Sequence, residues 1–286
     1  MIDYEKIPDL QHESVCPTPF YINQIGVEKV KVPFLLDTLE EGIKSLTANV
    51  TMTTDLDPEI KGISMSQLLR TLITYLDRPL KHETIRGILE EFKTAVETDS
   101  KHSQITFEFD LPLNRKAPIS KLSFPQYYKC SFTGKLDDHS FSFFQKVQVQ
   151  YASYCCCSAS LCGYLKENDS NGFPHAQRSY ATLLAEVLPN NVVWLEQLID
   201  LIEKSVVNRV YPILRRMDEM EVARIAAENP MFVEDAIRRI CINLNNTPII
   251  HDWIIKCDHE ESLHTSNAIA ICYKGIPNGF RETYYI

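Results

Sequence analysis

Alternation of apolar and polar positions marks the first clear strand at residues 46–54, where Leu46, Ala48, Val50 and Met52 face one way and Thr47, Asn49, Thr51 and Thr53 the other. The period then changes. Met65, Leu68, Leu69, Leu72, Ile73 and Leu76 recur at helical spacing over 65–76, and Ile85, Ile88, Leu89, Phe92 and Val96 form one stripe over 82–97. Period two returns with Ile105, Phe107, Phe109 and Leu111, continues in a strand over 121–136, and runs through the polar turn Asp137-Asp138 into a long strand over 140–154. In that strand Phe141, Phe143, Val147, Val149 and Tyr151 alternate with Ser142, Lys146, Gln148 and Gln150.

The second half repeats the order. A helix over 192–207 carries Leu195, Leu198, Ile199, Ile202 and Val206 on one face, with Asn190 or Asn191 as N-cap. A further helix is expected from Asn229-Pro230, with Val233, Ala236, Ile237, Ile240 and Leu244 as its stripe. Strands over 249–256 and 267–273 close the chain. Grouped strands and grouped helices predict an α+β fold with antiparallel sheets and a duplicated architecture. The expected divisions are an N-terminal arm over 1–20, one module over 21–118 and a second over 119–286.

Composition narrows the class. With 44% hydrophobic and 23% charged residues over 286 positions, the chain has material for one large domain or two ordinary ones. A net charge of -9 argues against nucleic acid as partner, because phosphate contacts need a basic face. No apolar run approaches the ~20 residues of a membrane-spanning helix, so no membrane partner is expected. The opening residues are polar and unlike a signal peptide, so the nine cysteines are read as reduced thiols in the cytoplasm. Cys16, Cys130, Cys162, Cys241, Cys257 and Cys272 read as small buried hydrophobes.

Candidate chemistry concentrates at Cys155-Cys156-Cys157, delivered by the long strand, with His175 beyond a polar loop over 166–172. If the strand persists, Cys155 and Cys157 share a face and Cys156 does not. Thiolate and imidazole are strong ligands for a borderline transition metal, against which stands a redox-inert buried cluster. Asp218-Glu219 read as a solvated acidic face, Glu234 as a surface or helix-dipole residue, and 258–264 as a polar turn dense in potential ligands. No GxGxxG, P-loop, GxSxG or HExxH motif occurs.

Eight segments in order resemble the type IB GTP cyclohydrolases, the metal-dependent branch of the tunnelling-fold superfamily. They are Ile7-Pro8-Asp9-Leu10-Gln11, Ile22-Asn23-Gln24-Ile25-Gly26-Val27, Lys61-Gly62-Ile63-Ser64-Met65-Ser66-Gln67, Cys155-Cys156-Cys157-Ser158, Pro174-His175-Ala176-Gln177-Arg178-Ser179, the stretches over 211–219 and 228–235, and Glu261-Ser262-Leu263-His264. The resemblance implies a tunnelling fold of two ββααββ modules, antiparallel sheets packed against paired helices, and a homotetramer with active sites between subunits. It implies one divalent transition metal per subunit (Zn, Mn or Fe(II)) on Cys155, Glu219 and His264, with His175 and Glu261 at or next to it. It also implies His175, Glu261 and Cys157 as catalytic groups, and Glu234, Arg178 and Gln177 as substrate-binding groups.

The implied reaction is hydrolytic opening of the guanine imidazole ring at C8 with loss of formate, leading to 7,8-dihydroneopterin triphosphate or a related product from another guanine compound. A bound metal can lower the pKa of water from about 15.7 to as low as ~7. The alternative is a catalytically silent paralogue that binds a purine or pterin. The cofactor signature of the nitrile reductase branch is absent. Three departures bear on substrate: Ser64 and Gln67 stand where the family has His and Arg, about eight residues are inserted before His175, and Ala159 replaces a lysine.

Overall fold

In the computed structural model, which describes residues 16–95, 100–138, 140–189 and 191–281, eight strands form one antiparallel sheet in chain order. The strands are β1 (Ile22–Thr38), β2 (Gly42–Leu56), β3 (Ser103–Lys116), β4 (Ser123–Leu136), β5 (Phe141–Tyr154), β6 (Ala176–Val187), β7 (Ile250–His259) and β8 (Ala268–Tyr273). The helices are α1 (Met65–Ile73), α2 (His82–Ala95), α3 (Cys156–Glu167), α4 (Leu195–Val206), α5 (Arg216–Glu228) and α6 (Val233–Asn245). The motif at 7–11, Val96 and the candidate cap Asn190 lie outside the described residues.

The α+β class stands, but the two repeated ββααββ modules do not. After β1-β2-α1-α2-β3-β4 the chain adds β5 directly, inserts α3 between β5 and β6, and places three helices, not two, between β6 and β7. All eight strands belong to one sheet. Sequence periodicity missed β1, α3, α5 and β6 for physical reasons. In β1 no residue over 22–31 is buried, so its first half shows no period. None of the residues of α3 is buried, and in α5 only Asp218 and Ala226 are, so neither helix carries an apolar stripe. β6 buries alternate residues, but its buried face includes polar Gln177 and Ser179 while its other face carries Tyr180 and Leu184, so no apolar period shows in sequence.

The chain divides into two compact units, one of Met1–Phe109 and Ser131–Phe144, the other of Asp110–Cys130 and Gln145–Ile286. In the first, a run of rings joins Phe34 to Phe109 (4.9 Å), Phe109 to Phe132 (5.5 Å) and Phe132 to Phe143 (5.4 Å). Helix α2 buries Ile85, Ile88, Leu89 and Phe92, the expected stripe, and approaches β4 so closely that a Cβ at Gly134 would lie 2.3 Å from Ile85 Cγ2. Asp55 accepts from the Tyr21 hydroxyl at 2.7 Å, the Ser100 hydroxyl at 2.7 Å and the His102 N–H at 2.8 Å. Burial opposes its charge, but these bonds outweigh it and draw the carboxyl down to about 2.

In the second unit α4 packs on α6, and α6 on β7 and β8. Both predicted stripes are buried in full. The expected caps are not used: α4 is preceded by Trp194, and α6 starts at Val233 after Phe232. Asn229 ends α5 instead, its amide donating to the Ile225 carbonyl at 2.8 Å. β5 alternates as predicted, and its inward face also holds polar Gln145 and Ser153. Of the six cysteines expected as buried hydrophobes, Cys130 and Cys257 are buried, and Cys16, Cys162, Cys241 and Cys272 are partly exposed. Among the described residues no helix is long and apolar enough to cross a membrane.

Candidate active site

The long strand β5 stops at Tyr154, and Cys155 turns the backbone (φ -67, ψ 122) into α3 as its N-cap. Its thiol accepts the Ser158 N–H at 3.5 Å, the capping role usually taken by an oxygen. Cys156 and Cys157 are the first two helical residues, so the strand alternation that would put Cys155 and Cys157 on one face does not apply. Cys157 is exposed. Burial first, and then the nearby Asp235 carboxylate, pushes the Cys156 thiol up.

α3 and the turn after it return the chain to its starting point. The Cys155 N–H donates to the His175 carbonyl at 3.3 Å, and the His175 N–H to the Ser158 hydroxyl at 3.3 Å. From there β6 pairs with β7, the last regular pair being Ser179 with His259. Beyond it the two strand ends stay in register through other bonds. The Glu260 N–H donates to the Arg178 carbonyl at 2.9 Å, the Gln177 amide to Glu261 Oε1 at 3.1 Å, and the Ser262 hydroxyl lies 3.3 Å from His175 Nδ1. Cys155, His175, Gln177 and Glu261 are thereby gathered at one rim, with Ser158 and Ser262 between them.

Behind the rim lies a buried polar layer. The Tyr151 hydroxyl is 2.8 Å from His259 Nε2, and the Ser153 and Ser179 hydroxyls are 2.8 Å apart. Burial draws the His259 imidazole down to about 4, against the pull of the Asp258 and Glu234 carboxylates. Glu234 is exposed in the first turn of α6. The link before α6 is tied to the site, since the Met231 N–H donates to the Tyr154 carbonyl at 2.9 Å.

Asp218 is not the solvated residue that its surroundings in sequence suggest. It is fully buried and takes the Ile119 N–H (2.9 Å), the Ser120 N–H (2.8 Å), the Ser120 hydroxyl (2.6 Å) and the Arg215 N–H (2.9 Å). Burial disfavours its charge, yet these four bonds prevail and hold the carboxyl well below the usual carboxylate range. The neighbouring Glu219 is exposed, as are Arg178 and, after β7, His264.

The implied metal can be tested against this arrangement. In donor chemistry the rim fits: a thiol and an imidazole on hydrogen-bonded residues, with a carboxylate beside them, suit a borderline transition metal. In position the set is open. Among the described residues no three of His, Cys, Asp or Glu stand close enough to share an ion, so Glu219 and His264 are not gathered onto Cys155. Ser158 and Tyr151 have no site role in the sequence reading, and His259 and Ser262 enter it only as members of the ligand-dense stretch 258–264. Serine and tyrosine carry no spacing signal, and only the position of Tyr151 on the inward face of β5, four residues before Cys155, marks it.

Comparison with known proteins bears on all of this. A family described as "Type I GTP cyclohydrolase folE2" matches residues 7–270. Among curated relatives, the GTP cyclohydrolase FolE2 of Cereibacter sphaeroides (strain ATCC 17029 / ATH 2.4.9) is 30% identical over 275 residues, covering 94% of this chain and 76% of that protein. That of Azoarcus sp. (strain BH72) is 29% identical over 266 residues, covering 93% and 94%. Among solved structures, the uricase from Arthrobacter globiformis aligns with a TM-score of 0.56 at 6% identity, covering 93% of this chain and 96% of that one. That likeness describes the fold alone, and it is to a uricase-like sheet, in keeping with the single eight-stranded sheet seen here. The motif resemblance is met at the level of a GTP cyclohydrolase, and the matching family is FolE2.

Proposed function

Since the chain belongs to the type I GTP cyclohydrolase FolE2 family, we propose that it hydrolyses the guanine imidazole ring of GTP at C8, releases formate and yields 7,8-dihydroneopterin triphosphate. One observation supports this reading most directly. Gln177 holds Glu261 and Ser262 meets His175 on adjoining strand ends, with Cys155 at the head of α3, the helix that precedes β6. A proton carrier, a restrained carboxylate and a thiol therefore share one rim.

In this reading Glu234 anchors the base, because a carboxylate can accept parallel hydrogen bonds from the ring N–H and the 2-amino group of guanine. A first water adds at C8 and one C–N bond breaks, leaving a formamide. A second water hydrolyses that formamide, breaking the other C–N bond and releasing formate, after which the ribose rearranges and closes on the freed amine. His175 supplies a proton to a departing ring nitrogen, the task for which imidazole is suited near neutral pH, and Ser262 orients the ring. Glu261, held by Gln177, and Cys157 are the further proton carriers of the proposal. Arg178, exposed at the start of β6, is the cation offered to the triphosphate.

The finer assignment to the metal-dependent branch is part of the same proposal. Cys155, Glu219 and His264 would hold Zn, Mn or Fe(II), with His175 and Glu261 adjacent, and the ion would supply Lewis-acid activation of water. The proposal extends to a homotetramer and to a reducing, cytoplasmic setting.

The test is incubation of the purified chain with GTP, reading formate release and, after oxidation, pterin fluorescence. Formate and a fluorescent pterin in equal amounts support the reading. Binding of guanine nucleotides without either product would overturn it in favour of a silent purine-binding paralogue.

A further inference from the structure

The rim is an overhang. His175, Gln177 and Glu261 lie past Ser179–His259, the last regular pair of β6 and β7, with Gln177 still inside β6 where it neighbours β5, so the setting of that pair bears on how the two strand ends meet at the rim. On the inner face of the sheet both members are bonded to β5. His259 meets Tyr151, and Ser179 meets Ser153. All four side chains are buried, Tyr151 at 0% and His259 at 2% exposure. Four residues after Tyr151, the same strand delivers Cys155.

A hydroxyl and an imidazole facing each other in a core are a costly choice. Each loses its hydration on burial, and one bond between them recovers little more than that loss. An apolar pair would fill the space at least as well for stability. What the polar pair adds is direction, since it is satisfied at one separation and one ring orientation only.

Resting on the function proposed above, we infer that Tyr151 and His259 are positioning residues: their bond sets the spacing of the β5 and β7 ends that brings His175, Gln177 and Glu261 against Cys155. Neither residue touches the reacting atoms. Displacing a catalytic group by about 1 Å can cost ~100-fold in rate, so small changes at this pair should be felt at the rim.

Two measurements on the full chain test the pair, using Tyr151→Phe, His259→Leu and His259→Gln. In hydrogen exchange, Tyr151→Phe and His259→Leu should speed the amides at 175–179 and 259–262 by roughly tenfold or more, while those at 181–186 keep their protection. In steady-state turnover of GTP, the same two variants should lose about tenfold or more in kcat with KM within about twofold. His259→Gln, whose amide can still meet the Tyr151 hydroxyl, should recover most of both.

A merely structural role would speed exchange across the whole sheet and leave Gln no better than Leu. Unchanged exchange at the strand ends, or altered exchange with wild-type turnover, overturns the inference. If the wild-type chain opens no guanine ring, the function fails separately, and local exchange alone decides the positioning role.

Discussion

Ser120 donates its hydroxyl to Asp218 Oδ2 at 2.6 Å, across 98 residues of chain, while both the Ile119 and Ser120 N–H groups reach Asp218 Oδ1. One buried carboxylate thus fastens the β3–β4 turn to the first turn of α5, the helix that carries Glu219. Asp218→Ala would leave four donors without their acceptor and release that helix turn. The expected outcome is a lower Tm together with faster hydrogen exchange confined at first to 216–222. An unchanged Tm would show that the fastening is not needed.

Two aspartates are expected to contribute to the loss of stability in acid. Asp55, drawn down to about 2, and Asp218, held well below the usual range, both have folded values beneath the ordinary unfolded value of about 3.9. A depressed carboxylate stabilises the fold above its unfolded value, and that contribution is lost as pH falls toward the folded one. Stability should therefore be flat in these groups above about pH 5 and fall progressively below pH 4. Asp55→Asn should remove its share of the fall, which denaturant titrations at pH 6 and pH 3 would reveal as a smaller difference between the two.

Metal content separates the ligand roles. Removing a thiolate from a small donor set leaves too few ligands to satisfy the ion. Cys155→Ala is expected to take the bound metal from near one equivalent per chain to a small fraction, by elemental analysis of protein purified with added Zn. Full occupancy in that variant would move the role to Cys157.

Glu234 is exposed, so its replacement should leave the fold intact and report on binding alone. Glu234→Ala should raise KM for GTP by tenfold or more, because a site built on paired hydrogen bonds discriminates strongly against losing them. Metal content and Tm should not move. Wild-type KM would exclude the anchoring role.

Substrate preference follows from two departures in the first unit. Ser64, just before α1, bonds to the Ser66 hydroxyl at 3.1 Å, and Gln67 accepts from Arg70 at 3.4 Å, so neither position presents the cation or imidazole of the family pattern. A charge-assisted bond to phosphate is worth roughly 1.5–3 kcal/mol, or about tenfold or more in affinity. The preference for GTP over GMP and guanosine should accordingly be shallow in kcat/KM. A steep preference for GTP at ordinary turnover would assign the triphosphate to other cations, Arg178 foremost.

Local pattern by itself determined the elements with one wet and one dry face. The alternation of β2, β3 and β5 and the stripes of α2, α4 and α6 are legible because burial imposes a period on a side chain wherever an element has two different faces. His175 stands out by its residue type near the cysteine cluster, whereas Gln177 and Glu261 gain their site roles only from the resemblance of their segments to a known family. Local pattern could not find α3 or α5, which bury almost nothing, nor see that the cysteine run leaves the strand at Tyr154 and winds into a helix.

The tertiary structure alone decided which of two adjacent acids is buried. Asp218 and Glu219 look alike in sequence, yet Asp218 faces a turn 98 residues away, and only that distant turn supplies donors enough to keep a charge in the core. It also decided that all strands join one sheet, and that His259 lies under the rim against Tyr151. Both outcomes depend on pairings between residues remote in the chain, and no local period records a remote pairing.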